Sequence, residues 1–152
     1  MNAIRNSAKA IIIKNGCLLT VKNYDTKGDW YLLPGGGQNL GETIKEALRR
    51  ECIEEIGIEV GVGRLRYIRE YIGKNHEFSE HDGDSHQVEF MFECEFDEEQ
   101  PPELGNNPDA YQVDIVWLPI NEIHEYRIYP KQLGDLLLSE ADNDISYLGD
   151  VN

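Results

Sequence analysis

Glutamates 51, 54 and 55 are the residues of this chain whose type and spacing could most directly do chemistry. On a helix, at about 100° per residue and with Glu51 as zero, Glu54 falls near −60° and Glu55 near +40°, so the three carboxylates share a face. Each like-charge pair at i, i+3 or i+4 costs an isolated helix roughly 0.2–0.5 kcal/mol, and the negative end of the helix dipole adds to that in the last turns. Stability alone would place Lys or Arg there. Divalent cations supply the missing charge, and clustered carboxylate oxygens suit hard ions such as Mg2+, Mn2+ or Ca2+. The bland alternative is a solvated Glu-rich face on which Arg50 pairs with Glu46 or Glu54 one turn away.

The helix that must carry these residues is expected over about 40–56. Asn39 followed by Glu42 has the form of a capping box, Ile44, Ala47 and Leu48 recur at helical spacing, and Gly57 supplies the stop. Upstream, AKAIIIK and CLLTVK flank Asn15-Gly16, which predicts an antiparallel hairpin over residues 8–22. Trp30 to Leu33 is a short strand, and Pro34-Gly35-Gly36-Gly37 forces a turn. Downstream, residues 61–73 and 86–96 read as long strands, the second with Val88, Phe90, Phe92, Cys94 and Phe96 alternating. Residues 74–85 and 97–110 read as loops, and 112–118 as a strand. A short helix is expected at 119–123, and a last helix with Pro130 in its first turn and Leu133, Leu136 and Leu137 on one face. The tail from about 142 is acidic and expected to be loosely held.

Composition sets the frame for these elements. The chain has 152 residues, 14 Lys plus Arg against 29 Asp plus Glu, and a formal charge of −15. That is one domain's length, with no repeat and no dividing linker, so a single domain over 1–152 is expected. No apolar run approaches the ~18 residues of a membrane span, and the negative charge disfavours nucleic acid. Cys17, Cys52 and Cys94 are too few, too far apart and wrongly spaced for a disulfide framework or zinc knuckle. With no signal-peptide pattern at the N-terminus, a reducing, cytoplasmic setting is expected.

From Gly36 to Ile58 the chain reads GGQNLGETIKEALRRECIEEIGI, a pattern of G-x5-E-x7-R-E-U-x-E-E-x-G-U with U an aliphatic position. Gly36, Glu42, Arg50, Glu51, Glu54, Glu55 and Gly57 fill the fixed positions; Cys52 is the one departure, at an aliphatic slot. This stretch resembles the signature of the Nudix hydrolase family. The resemblance implies an α/β (α+β) Nudix fold, with a mixed sheet sandwiched between helices and the signature forming loop, helix and loop. It implies Glu51, Glu54 and Glu55 as ligands of Mg2+ or Mn2+, with the carbonyl of Gly35 as a further ligand. Gly36, Glu42, Arg50 and Gly57 would brace the loop against the helix.

The implied reaction is metal-dependent hydrolysis of a diphosphate linked to another moiety, usually a nucleoside diphosphate derivative, in the manner of MutT-like pyrophosphatases. Bound cations would let so acidic a protein hold such a substrate. Glu51 or Glu54 is the nearest general base or water positioner; Glu103, Asp109 and Asp114 are suppliers from later segments, although base rates for acidic residues favour solvated charge for each. The expected partner is a small nucleotide-type molecule, with no nucleic acid and no membrane, and a homodimer fits the family. Two competing readings share the fold: a noncatalytic ligand-sensing module, and an RNA 5′-end pyrophosphohydrolase, which the acidity opposes. Subgroup markers give no substrate: Gly73 stands where a proline would suggest ADP-ribose, and Asn75 and His76 where a tyrosine would suggest dinucleoside polyphosphates.

Several other residues have two readings. His76, His81 and His86 with Asp82 and Asp84 form either a second metal site or a polar loop. Arg64, Arg66 and Arg69 read as phosphate contacts or as partners of nearby acids. Tyr67, Tyr71 and Phe78 read as a base-stacking surface or as packing.

Overall fold

The computed structural model describes residues 2–105, 107, 111–139 and 144–152. Two five-stranded mixed sheets form the body of the protein, with few helices. The strands are β1 (Arg5–Ile11), β2 (Ile13–Lys14), β3 (Cys17–Asp25), β4 (Gly28–Leu32) and β5 (Gly35–Gly37), then β6 (Val60–Ile72), β7 (His86–Phe96), β8 (Gln112–Pro119), β9 (Ile128–Tyr129) and β10 (Ser146–Asp150). The first sheet runs β10-β6-β7-β1-β5, with β1 parallel to β7 and β10 parallel to β6. In the second, β3 pairs antiparallel with β2, β4 and β8, and β9 lies parallel to β4.

The expected hairpin forms only at its tip. Asn15 and Gly16 both take positive φ, at 52° and 74°, and join β2 to β3, as the two-residue turn requires. Residues 5–11 do not pair with β3; they lie between β7 and β5 in the other sheet. Ala8, Ala10 and Ile12 join one core cluster and Ile11 the other, so the end of this segment, residues 10–12, is buried on both faces. A strand buried in that way belongs inside a sheet with layers on either side.

Pro34 does turn the chain, but the three glycines after it continue as β5 instead of remaining a loop. A Cβ at Gly35 would collide with the Ala8 carbonyl, and one at Gly36 would lie 2.5 Å from the Glu51 carboxyl carbon. The glycines permit a close backbone approach; pairing with β1 is completed by the Glu55 carboxylate at the Gly35 amide and the Arg50 guanidinium at the Gly37 carbonyl.

Helix α1 (Ile44–Ile56) begins later than 40. Thr43 is the N-cap and Glu46 closes the capping box, with Glu46 N donating to Thr43 Oγ1 at 3.2 Å and Thr43 N to Glu46 Oε2 at 2.8 Å. Asn39 N does donate to Glu42 Oε1 at 2.7 Å, but Gly41 at φ 91° lies between and is not helical. Ala47, Leu48, Cys52 and Ile56 are buried by α1, which stops at left-handed Gly57. Glu103, Gly105 and Asn107 dock on its end: their amides donate to the carbonyls of Ile56, Glu55 and Glu54 at 3.0, 2.8 and 3.2 Å, meeting acceptors that a helix end leaves open.

The segment expected as a loop at 74–85 contains a 3-10 turn at Gly73–Asn75 and a short helix α2 (Ser79–Asp82). Ile120–Glu125 is a 3-10 helix, and α3 (Leu133–Leu138) buries Leu133. Pro130 precedes α3 instead of entering its first turn; its carbonyl accepts from Leu133 N at 3.1 Å. The tail expected to be loose is also corrected. Residues 146–150 pair with β6, and Asp150 accepts from Ile72 N, Asn75 Nδ2 and the His76 ring at 2.9, 2.9 and 2.5 Å. Partners 74 to 78 positions away, unreadable from local composition, hold it. Among the described residues no helix is long and apolar enough to cross a membrane, and the three cysteines are free.

Candidate active site

The two sheets leave a cleft of about 750 Å3. One end lies where β5 meets α1. Arg5, Ser7 and Lys9 alternate along one face of β1, the Gly35–Gly37 strand runs beside them, and Glu51 reaches in from the helix; all line the cleft. A Cβ at Gly37 would collide with the Arg5 guanidinium, so the cation sits directly over the glycine strand. Two cations, a backbone without side chains of its own and a carboxylate are thereby brought together.

Arg50 ties the signature together. Its Nε and Nη2 donate to the two Glu42 oxygens at 3.1 and 2.6 Å, and Nη2 also donates to the Gly37 carbonyl at 2.8 Å. From the same guanidinium, Nη1 donates to Glu51 at 2.9 Å and to Glu54 at 3.3 Å. One cation therefore links the 38–43 turn, β5 and two of the three helix carboxylates, relieving the repulsion that their spacing creates. Glu42 is held below the usual carboxylate range by the Arg50 hydrogen bonds and the Asn39 amide.

The three glutamates differ in setting. Glu51 and Glu54 are partly exposed, at 14% and 32% of their side chains. Glu55 is buried, and its Oε2 accepts from the Gly35 amide at 3.1 Å, joining α1 to β5. Among the described residues no three His, Cys, Asp or Glu side chains are already gathered at coordinating distance. The donor set still suits a hard divalent ion: Glu51 and Glu54 approach one another closely enough to share a guanidinium, and oxygens are their only donors.

At the other end of the cleft the sequence had singled out Arg69, Tyr71, Phe78, His81 and Asp82, but not Glu89, Trp30, Tyr129 or Asn152. Arg69 and Glu89 form a buried ion pair. Arg69 Nη1 also donates to the Val151 carbonyl at 2.6 Å and to Asn152 Oδ1 at 3.2 Å. Burial pushes the Glu89 carboxyl up, but the Arg69 and Lys9 charges outweigh it and leave the group below its ordinary range. Trp30, Phe78 and Tyr129 pack with ring centroids 5.4–6.1 Å apart and line the same cleft. A readable signal for β1 and β7 did exist: polar residues at 7, 9 and at 87, 89 alternate with apolar ones, marking a wetted strand face.

Of the remaining described candidates, His81 and Asp82 line the cleft, and the others do not. Arg64 and Arg66 both pair with Glu93, at 3.0 and 2.5 Å. His76 stacks on Tyr71 and bonds Asp150, while His86 bonds Glu70 at 2.9 Å, so these two histidines do not converge. Glu103 and Asp114 are outside the cleft lining; Glu103 caps α1 through its backbone, and Asp114 stands opposite Lys22 on β3. Asp109 lies outside the described residues. Burial pushes the Cys94 thiol up to about 12 and Cys52 well above its ordinary value, so neither is a thiolate nucleophile at neutral pH.

Residues 4–136 match the sequence model of the NUDIX domain. The chain belongs to the Nudix family. Among curated relatives, the nucleoside triphosphatase NudI of Salmonella heidelberg (strain SL476) is 46% identical over 50 residues, or 31% of this chain and 36% of that protein. This chain thus spans about a third of the length of the curated relatives it matches. Among solved Nudix-like structures, the E. coli ORF135 protein superimposes with a TM-score of 0.68 at 21% identity, covering 91% of this chain and 95% of that one. The MutT NUDIX hydrolase of Burkholderia pseudomallei gives 0.66 at 16%, covering 90% and 99%. An ADP-ribose pyrophosphatase of Streptococcus suis gives 0.60 at 17%, covering 95% and 99%. At these identities the likeness establishes the mixed α+β Nudix fold.

Proposed function

We propose that this protein is a metal-dependent Nudix pyrophosphohydrolase, a single domain over residues 1–152 working in the cytoplasm, that cleaves the diphosphate linkage of a small nucleotide-type molecule. The observation that carries the reading is the placement of Glu51 at the cleft beside Gly35–Gly37, Arg5 and Lys9, with Glu54 tied to it through Arg50. The name of the NudI relatives, nucleoside triphosphatases, points to the same chemistry.

In this reading Glu51, Glu54 and Glu55, with the Gly35 carbonyl, hold Mg2+ or Mn2+. A divalent ion there supplies Lewis-acid polarisation of the diphosphate and a water of lowered pKa. The rest is the work of the chain. Arg5 and Lys9 bind phosphate oxygens from the β1 face, and the glycine strand lets them approach the backbone closely. Glu54, the most exposed of the three, accepts the proton of the attacking water, with Glu51 beside it. Arg50 keeps both carboxylates oriented from Glu42 and Gly37, and Gly36 leaves room for the Glu51 carboxylate.

The test is release of products from nucleoside triphosphates, nucleotide sugars, ADP-ribose, dinucleotides and capped RNA, with Mg2+ or Mn2+, beside Glu54→Gln and Glu55→Gln. Turnover of one soluble nucleotide that vanishes in both variants is expected. Absence of turnover on every compound, together with wild-type metal binding no tighter than that of the variants, would favour a noncatalytic ligand-sensing module.

A further inference from the structure

The far end of the cleft is built to present hydrogen-bonding groups. Register places Ser7 opposite Gly37 on one side and Glu89 on the other, and Glu89 opposite Arg69. At about 4.8 Å between strands, Glu89 lies about 10 Å and Arg69 about 14 Å from the glycine strand. Ser7, Glu89 and Arg69 are each less than a tenth exposed. Arg69 holds both of its neighbours, Glu89 through Nε and Asn152 through Nη1.

That arrangement fixes the Asn152 amide with its oxygen engaged and its Nδ2 pointing elsewhere. Among the described residues Nδ2 is buried with no hydrogen-bond partner, and so is Trp30 Nε1. Both side chains line the cleft. A buried N–H without an acceptor costs about 1–3 kcal/mol, and two in one cleft mark a place where a ligand brings the acceptors. Glu89 offers the opposite: an ionised carboxylate only accepts. The Trp30, Phe78 and Tyr129 rings add an apolar wall suited to a flat heterocycle.

We propose that Glu89 and Asn152, both held by Arg69, read the edge of a nucleobase that carries an exocyclic amino group beside an acceptor. The amino group donates to Glu89, and the neighbouring ring nitrogen or carbonyl receives the Asn152 amide. Cytosine, adenine and guanine present such an edge. Uracil and thymine flank a single N–H with two carbonyl oxygens, which the Glu89 carboxylate repels. This inference rests on the nucleotide-type substrate proposed above. Its geometry agrees with that substrate, because a base at Glu89 leaves the phosphates extending toward β5, Arg5 and Glu51. Asn152 and Glu89 are specificity-determining residues in this account, and Arg69 is a positioning residue.

Asn152→Asp tests the idea, because the variant keeps an oxygen for Arg69 and exchanges the amide donor for an acceptor. Tryptophan fluorescence on titration of the otherwise wild-type Trp117→Phe protein, and of the variants in that background, with CMP, AMP, GMP and UMP, without metal, reads Trp30 alone and so base preference separately from hydrolysis. Wild type is expected to bind at least one amino-bearing nucleotide about tenfold or more tightly than UMP, and Asn152→Asp to bring that ratio close to one. Asn152→Ala, which leaves Arg69 its Glu89 and Val151 contacts, provides the same readout should the aspartate variant not fold. An unchanged ranking in the folded variants, a wild-type preference for UMP, or no saturable binding of any of the four overturns the inference. Hydrolysis lost in Glu54→Gln with an unchanged ranking in Asn152→Asp would leave the proposed function standing and sink the base reading. An altered ranking with no hydrolysis of any diphosphate would do the reverse.

Discussion

The two ends of the cleft are built differently. At the α1 end, the carboxylates and the arginine that bridges them lie within a stretch of 23 residues, from Gly36 to Ile58, with Glu42, Glu51 and Glu54 joined at partial exposure. At the far end, Arg69, Glu89 and Asn152 come from β6, β7 and the residues after β10, and the ion pair is buried. Loosely held charges with water nearby can exchange an arginine for a cation or substrate at small cost. A buried pair cannot rearrange cheaply, because either partner alone would be an uncompensated charge in low dielectric. The first end is suited to chemistry and the second to fixed recognition.

The largest effect that would break this contrast concerns Glu54. Glu54→Gln should lower metal-dependent hydrolysis by roughly 1,000-fold or more while the urea midpoint stays within experimental error, since the side chain is partly exposed. Comparable loss of folding stability would show the α1 end to be structural after all. Arg69→Met should do the opposite. Leaving Glu89 buried and unpaired should cost about 3–5 kcal/mol, about 10 °C in Tm for a chain of this length, and Arg69→Met/Glu89→Leu should recover most of that stability while abolishing base preference. If the double variant is no more stable than the single one, the ion pair is not the source of the cost.

Within β5 the same contrast can be drawn residue by residue. Gly35→Ala places a Cβ against the Ala8 backbone at φ 139° and should destabilise by about 2–4 kcal/mol. Gly36→Ala meets the movable Glu51 carboxylate and should preserve the fold while lowering kcat by about 10- to 100-fold. Thermal melts and steady-state assays on both variants separate the two. Thr43→Ala, which removes the α1 cap without touching either end, should cost about 1 kcal/mol and leave kcat unchanged.

The smallest effect sharpens the contrast through pH. Burial pushes the Asp150 carboxyl up, but Asn75, His76 and the Ile72 amide more than offset it and hold it at about 2. A carboxylate whose folded pKa is depressed stabilises above its unfolded value and loses that contribution as pH falls through the folded one. The β10 anchorage should therefore weaken between about pH 4 and pH 2. Urea midpoints measured across that window should fall less steeply in Asp150→Asn than in wild type.

Much of the α1 end was legible in the chain because helix periodicity, caps and stop residues act over a few positions. Glu51, Glu54 and Glu55 share a face by geometry alone, and Gly57 ends the helix as its type dictates. The start was misplaced at Asn39 because Asn39/Glu42 and Thr43/Glu46 both have cap spacing, and only the backbone at Gly41 decides between them. The 8–22 hairpin was overextended for a related reason. Asn15-Gly16 specifies a turn, but not how far its strands stay paired, and burial of residues 10–12 on both faces carried β1 into the other sheet.

By itself, then, the sequence determined the Nudix signature, the helix that carries it, most strand segments and the charge problem that a cation would solve. These rest on interactions between residues near in the chain. Tertiary structure alone decided that β1 joins β7 and β5, that residues 146–152 return to β6, and that Arg69, Glu89 and Asn152 meet. Each of those contacts spans tens of residues, and its free energy comes from burial and register across strands, which no local pattern of residue types encodes.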